Sequence, residues 1–226
     1  MIPDSRRAQS GIWNLESGIW NLASGMDKIR TFIAVRLPAE TRRRLAEVEK
    51  QLVASGADVK WVAEESFHVT LKFLGYVEPK RLDAITRAVE SATDGAASFD
   101  ANLSGVGAFP KASRPSVVWA GITAGSEEFK ALAERVEVAL ERIGFAREPR
   151  PFSAHVTVGR VKSAKNLDRL HETIERLREE DVDSFRVEGV SVMRSDLRPT
   201  GPVYTEIADC KLQIADSGKK GDLSPG

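Results

Sequence analysis

Two of the three histidines in this chain open the same tripeptide. His-Val-Thr occurs at residues 68–70 and again at residues 155–157, once in each half of the sequence. Histidine is the side chain whose unperturbed pKa allows proton transfer near neutral pH. Two histidines in matching local sequence can act as a general acid and a general base, one protonated and one neutral. The duplicated tripeptide therefore predicts a paired acid–base site.

Each copy of the tripeptide is typical of a β-strand, where successive side chains alternate between the two faces. His68 and Thr70 then share one face, about 6.6 Å apart along the strand. His155 and Thr157 share a face in the same way. Threonine hydroxyls donate hydrogen bonds to phosphate oxygens. If the two faces line one cleft, the four side chains predict phosphoester chemistry.

Two cations follow the tripeptides and are candidates for binding a phosphate. Lys72 lies four residues after His68, so an ideal strand places it on the face of His68 and Thr70. Arg160 lies five residues after His155, so an ideal strand places it on the opposite face. A bulge, a twist or the strand end is needed to bring Arg160 to the cleft, where it offers a fixed positive charge.

Other kinds of catalytic site are less well supported by the sequence. A two-histidine metal site usually needs a third protein ligand, and carboxylates near both histidines are sparse, so we expect no metal. No Gly-x-Ser-x-Gly segment marks a serine nucleophile. His171 lies in a charged helical segment and is predicted to be a surface residue. A single His-x-Thr is more often structural, and it is the duplication that favours function.

Composition predicts an ordinary soluble protein of the cytoplasm. Lysine plus arginine and aspartate plus glutamate number 33 each, so a whole-molecule basic field for duplex nucleic acid is not expected. Cys210 is the single cysteine, which excludes an intramolecular disulfide and fits a reducing compartment. No apolar run approaches the roughly 18 residues that a membrane helix requires. The neutral, ordinary composition suggests a monomer.

The two ends of the chain differ in composition from its centre. Residues 1–25 contain a perfect hexamer repeat, at 10–15 and 17–22, and are predicted to be a disordered or non-native extension before Met26. Residues 26–214 are predicted to form a single bilobal domain. Residues 215–226 have the composition of a disordered tail.

Hydrophobic periodicity predicts eight strands and four helices within the central domain. The strands are predicted at residues 30–37, 59–62, 67–76, 99–109, 116–123, 154–161, 184–194 and 202–213, and the helices at 39–55, 79–93, 126–143 and 166–180. Adjacent strands with short connections favour antiparallel pairing and an α+β fold. We expect two pseudo-symmetric lobes of antiparallel sheet, with outer helices, around a central cleft.

The residues around the tripeptides resemble the 2H phosphoesterase superfamily, whose signature is two His-x-Thr/Ser-x motifs. The chain is most similar to the RNA 2′,3′-cyclic phosphodiesterases of bacteria and archaea, also described as 2′-5′ RNA ligases. The resemblance is carried by segments 30–38, 67–75 and 152–160 and extends over roughly residues 27–212. Ala154 stands where the family usually has proline, a difference expected to alter loop shape more than chemistry.

The resemblance implies hydrolysis of 2′,3′-cyclic phosphates on RNA or nucleotide ends to 2′-phosphomonoesters, without metal or cofactor. It implies that His68 protonates the leaving 3′ oxygen and that His155 accepts a proton from the attacking water. Thr70 and Thr157 are then expected to hold the non-bridging phosphate oxygens, with Arg160 offsetting charge in the transition state.

Two other functions fit the same residues. A nucleotide- or RNA-binding module could use the cleft without turnover, although binding alone does not need both histidines. A 2′-5′ ligase is the reverse reaction and uses the same groups. The substrate stays open among tRNA halves, other RNA ends, small cyclic nucleotides and ADP-ribose-type cyclic phosphates. Phe73, Phe152 and Trp119 are candidates for stacking on a terminal base.

Overall fold

The computed structural model describes residues 28–198 and 201–214 of the 226-residue chain. The described strands are β1 Ile29–Arg36, β2 Val59–Trp61, β3 His68–Val77, β4 Phe99–Lys111, β5 Arg114–Ile122, β6 His155–Val161, β7 Asp181–Val187, β8 Gly189–Arg198 and β9 Gly201–Lys211. The described helices are α1 Ala39–Val53, α2 Leu82–Thr93, α3 Ser126–Glu141 and α4 Leu167–Arg176. The predicted extension at 1–25 and tail at 215–226 lie outside the described residues and stay predictions.

The nine strands form one sheet, and every pairing between them is antiparallel. Their order is β7-β4-β5-β6-β3-β1-β8-β9, and the short strand β2 also pairs with β6. One lobe, β7-β4-β5-β6, carries the second tripeptide, and the other lobe, β3-β1-β8-β9, carries the first. This order confirms the predicted α+β fold of two antiparallel lobes.

One cluster of buried apolar side chains runs beneath both lobes. Alternation along each strand supplies it: Ile33 and Val35 of β1 and Val156 and Val158 of β6 are each at most 2% exposed. Helices α2 and α3 pack on each other and cover β3, β8 and β9, while α1 and α4 cover β7, β4 and β5. Because the core is shared, it fixes how the two histidine strands face each other. No helix in the described ranges is long and apolar enough to span a membrane.

The single strand predicted at 184–194 is wrong, because two strands occupy this region. β7 ends at Val187 and pairs with β4, whereas β8 begins at Gly189 and pairs with β1 in the other lobe. The chain changes partners at Gly189, where a Cβ atom would lie 3.2 Å from the carbonyl oxygen of Cys210 in the neighbouring strand β9. The apolar pattern continues through the break, with Val187 and Val190 both buried, and therefore gave no signal of it.

The predicted helices are all present, but their ends differ from the predicted bounds. Residues 79–81 form a 3-10 turn before α2, and α4 ends at Arg176 rather than at residue 180. Ser126, predicted to cap α3, is instead its first helical residue. Gly125 precedes it with a φ of 80°, and a Cβ there would lie 2.7 Å from the carbonyl oxygen of Asp100. Close packing against β4 therefore decides where this helix begins.

Candidate active site

A backbone carbonyl orients the ring of each tripeptide histidine. His68 Nδ1 lies 2.7 Å from the carbonyl oxygen of Ser66, and His155 Nδ1 lies 2.8 Å from that of Ser153. A carbonyl oxygen accepts only, so each Nδ1 carries the hydrogen and each Nε2 is the atom available for proton transfer. This contact was not predicted from the sequence, and because the acceptor is a backbone carbonyl, which every residue carries, no residue type marks it.

The two tripeptides meet at one backbone pairing, Val69 of β3 with Val156 of β6. Antiparallel pairing about this point places His68 opposite Thr157 and Thr70 opposite His155. Both valines are fully buried in the core, so the four polar side chains lie on the other face of the sheet. We call this surface, which carries His68 and His155, the cleft face.

The two histidines differ in their contacts with threonine. Thr70 Oγ1 lies 3.0 Å from His68 Nε2, and because Nδ1 holds the ring hydrogen, the hydroxyl donates to Nε2. His155 Nε2 makes no hydrogen bond with any residue that the structure describes. The two sites are thus similar in backbone but not identical in side-chain contacts. His155 presents an open acceptor to the cleft.

Burial lowers the pKa of both histidines below 6.5, because the charged form loses hydration. The carbonyl of Ser66 partly opposes this effect at His68, and the charge of His155 lowers the His68 pKa further. At His155 the Ser153 carbonyl opposes burial, while the positive charge of Arg160 lowers the pKa. Both rings therefore favour the neutral form in the unliganded protein. A bound phosphate anion would raise both pKa values.

A β-bulge in β6 brings Arg160 to the cleft face. Thr157 lies opposite Trp119 of β5, but Gly159 lies opposite the adjacent Val118, so one extra residue, Val158, interrupts the alternation. Arg160 then lies opposite Val117 and points to the same face as Thr157. Its effect on the pKa of His155 and of Tyr204 agrees with this position. Of the three ways considered for Arg160 to reach the cleft, a bulge, a twist or the strand end, the structure contains the bulge.

An equivalent bulge lies in β3, and because of it the prediction that Lys72 shares the face of His68 and Thr70 is wrong. Thr70 lies opposite Ala34 and Lys72 lies opposite the adjacent Ile33, so Leu71 is the extra residue. Lys72 therefore points into the core, where Nζ lies 2.5 Å from Glu137 of α3 and 2.7 Å from the carbonyl oxygen of Ala146. It is 6% exposed, and its charge is neutralised behind the sheet rather than offered to a ligand.

Phe73 takes the position in the first lobe that Arg160 holds in the second. Phe73 lies four residues after Val69, so an ideal strand would place it on the core side, but the bulge turns it to the cleft face, where it is 61% exposed. Its ring centroid lies 6.1 Å from that of Phe32. The two lobes are therefore related in backbone, while this equivalent position carries an aromatic ring in one and a cation in the other.

Aromatic rings surround each histidine, and most of them were not identified from the sequence. His68 lies 5.0 Å from Phe32 and 5.3 Å from Tyr204, measured between ring centroids. His155 lies 5.2 Å from Phe109 and 6.4 Å from Trp119. These rings account for the partial burial of both histidines. They come from strands distant in sequence, so no local pattern marks them.

A cavity of about 540 Å³ lies in the second lobe and is lined in part by Trp119, Ser153 and Ala154, but not by His155. Phe152, the third stacking candidate, packs against the core cluster.

Within residues 28–198 and 201–214 no group of three or more histidines, cysteines and carboxylates is placed to hold a metal ion. His171 lies on α4, and its Nδ1 is 3.9 Å from Glu175.

Comparison with known proteins agrees with this geometry. The family described as LigT-like phosphoesterase matches residues 35–119 and 122–204. An RNA 2′,3′-cyclic phosphodiesterase of Methanothermobacter thermautotrophicus is 37% identical over 185 residues, covering 82% of this chain and 100% of that protein. The protein of the same name from Aeropyrum pernix is 34% identical over 177 residues, covering 78% of this chain and 98% of its own.

Two solved structures have the same fold. A crystal structure of a Thermus thermophilus protein aligns with a TM-score of 0.67 at 30% identity, covering 83% of this chain and 100% of that one. Escherichia coli LigT complexed with 3′-AMP aligns with a TM-score of 0.67 at 23% identity, covering 82% and 99%. At that identity the second similarity concerns the fold alone.

Two lobes of antiparallel sheet that present a pair of histidines to one cleft define the two-histidine class of phosphoesterases. The family match covers most of the chain in two segments, which are interrupted only at residues 120–121 within β5. The chain belongs to the LigT-like phosphoesterase family. The resemblance identified from the two tripeptides is confirmed.

Proposed function

We propose that this protein hydrolyses 2′,3′-cyclic phosphates at RNA or nucleotide ends to 2′-phosphomonoesters, using His68 and His155 and no metal ion. The observation that carries the proposal is the convergence of two histidines on one face, each with Nδ1 bound to a carbonyl and Nε2 directed to the cleft, where Thr70 contacts that of His68 and that of His155 is open. The curated relatives named RNA 2′,3′-cyclic phosphodiesterase support the same reaction. We also propose that it acts in the cytoplasm as a monomer.

In the proposed step, water forms a bond to phosphorus as the bond from phosphorus to the 3′ oxygen breaks. His155 Nε2 accepts the proton of the water, and protonated His68 donates its Nε2 proton to the 3′ oxygen. The charge of Arg160 supports His155 as the base, because it disfavours the protonated ring. The phosphate anion favours the protonated form of His68, which the acid role requires.

The threonines and Arg160 act on the phosphate oxygens in this proposal. Once His68 Nε2 is protonated, it no longer accepts from Thr70, and the hydroxyl is free to donate to a phosphate oxygen. Thr157 lies opposite His68 and offers the second hydroxyl. Arg160 supplies a fixed charge as negative charge grows in the transition state.

The direct test is turnover of adenosine 2′,3′-cyclic phosphate in excess chelator. His68→Ala and His155→Ala should each reduce kcat by about 100-fold or more, and His171→Ala should retain wild-type activity. Tight binding of the cyclic phosphate with no product would instead identify a binding module. Full activity of either active-site variant, or loss of activity with chelator, would contradict the proposal.

A second substrate separates the two roles. Replacement of the 3′ bridging oxygen by sulfur gives a leaving group that needs no protonation. This substrate should restore turnover to His68→Ala but not to His155→Ala. Rescue of His155→Ala alone would reverse the assignment of acid and base.

A further inference from the structure

The short strand β2 continues the line of β3 along the same edge of β6. Val69 of β3 pairs with Val156, and further along β6 Trp61 pairs with Gly159 and Lys60 with Arg160. A Cβ at Gly159 would lie 2.8 Å from the Trp61 ring, so glycine is required for β2 to approach. Because β3 runs antiparallel to β6, His68 is the active-site histidine nearest to β2.

Lys60 and Arg160 are direct cross-strand partners and point to the same face. Like charges placed directly opposite each other destabilise a sheet. Both side chains are exposed, and neither forms an ion pair or hydrogen bond with any residue in the described ranges. By contrast, Arg36 on the same cleft face is bound to Glu206 at 2.9 Å. The pair of unneutralised cations is therefore free to bind an anion.

The position of this pair matches the side of the site from which the leaving group departs. The 3′ oxygen that His68 protonates belongs to the terminal nucleoside, so that nucleoside lies on the His68 side. In RNA the nucleoside continues through its 5′ oxygen to the next phosphate. The Lys60 ammonium lies beyond His68 in this direction, next to Gly201 of the β8–β9 hairpin. A backbone phosphate is an anion that a flexible lysine binds well.

We propose that Lys60 binds the RNA phosphate next to the cyclic end and gives the enzyme a preference for RNA ends over mononucleotides. The inference rests on the proposed function and on His68 as the acid. Arg160 contacts the reacting phosphate, and Lys60 contacts the phosphate that links the terminal nucleotide to the rest of the chain. A mononucleotide 2′,3′-cyclic phosphate lacks that second phosphate.

The test compares two substrates, adenosine 2′,3′-cyclic phosphate and the dinucleotide ApA ending in a 2′,3′-cyclic phosphate. Lys60→Gln should lower the ratio of kcat/KM for the dinucleotide to that for the mononucleotide about tenfold, the effect of one charged hydrogen bond. It should also make the slope of log kcat/KM against log salt for the dinucleotide shallower by about 0.7. Lys60→Arg should keep both the ratio and the slope.

Lys162→Gln is the matched control, since Lys162 is an exposed lysine just beyond the end of β6. It should leave the substrate ratio unchanged. The inference is overturned if Lys60→Gln lowers both substrates equally, changes neither, or has the same effect as Lys162→Gln. Failure of the wild-type protein to hydrolyse either substrate would instead refute the proposed function, so the two failures are distinguishable.

Discussion

Val69 and Val156 are the single register pair between β3 and β6 within the described residues, and both side chains are fully buried. The two lobes that carry the histidines therefore meet in the sheet at the centre of the active site itself. The position of each tripeptide relative to the other depends on this contact and on the core beneath it.

Val156→Ala should lower the free energy of unfolding by about 2 kcal/mol, through the lost apolar contact and the cavity left behind. It should also lower kcat at least about tenfold, because small misplacements of catalytic groups are costly. Val192→Ala is the control, since Val192 is equally buried in β8 away from the site. Denaturant unfolding and steady-state kinetics measure both effects. Equal kcat losses in the two variants would show that stability alone is responsible.

The pH dependence of kcat/KM should be a bell centred below pH 6.5. Burial lowers the pKa of both histidines, so the protonated donor His68 is lost as pH rises through its lowered pKa. On the acidic side of the bell, kcat/KM falls because the base His155 becomes protonated. Arg160→Gln removes a charge that lowers the His155 pKa, so this limb should move to higher pH. NMR titration of the two rings checks the assignment, and a limb that does not move would argue against contact between these residues.

Tyr204 should act as a positioning residue for His68 through its ring. The ring packs edge-on against His68 at 5.3 Å and against Phe32 at 5.0 Å, keeping water from one side of the imidazole. Tyr204→Ala should raise the His68 pKa toward 6.5 and lower kcat, whereas Tyr204→Phe should retain the wild-type pKa. NMR titration of His68 separates the two. A fall in kcat with Tyr204→Phe as large as with Tyr204→Ala would show that the hydroxyl, not the ring, is required.

The buried pair of Lys72 and Glu137 should affect stability rather than RNA binding. Removal of one partner, by Lys72→Met or Glu137→Gln, leaves an uncompensated buried group and should cost about 3–5 kcal/mol. The double variant Lys72→Met with Glu137→Leu should recover much of this loss. Urea unfolding of the wild type, the single variants and the double variant measures these changes in the free energy of unfolding. The salt dependence of kcat/KM should not change in the double variant. A shallower slope of log kcat/KM against log salt would indicate that Lys72 contacts the RNA after all.

Much of the site was predictable from local sequence. Alternation along a strand placed each threonine beside its histidine and each valine in the core, because those relationships span only two residues. The same rule failed for Lys72 and Phe73, which lie beyond the bulge at Leu71. A bulge is set by the partner strand, and nothing in the segment 71–73 distinguishes it from a regular strand.

The sequence by itself determined that two histidines form a pair, that each has a threonine on its face, and which family carries this pattern. Only the tertiary structure decided which cations lie on the cleft face: Lys72 is paired with Glu137 behind the sheet, Arg160 is on the face of the histidines, and Lys60 lies beside it. The physical reason is that side-chain direction past a bulge depends on pairing between strands distant in sequence. The same long-range pairing brings Phe32 and Tyr204 against His68 and makes two identical tripeptides chemically different.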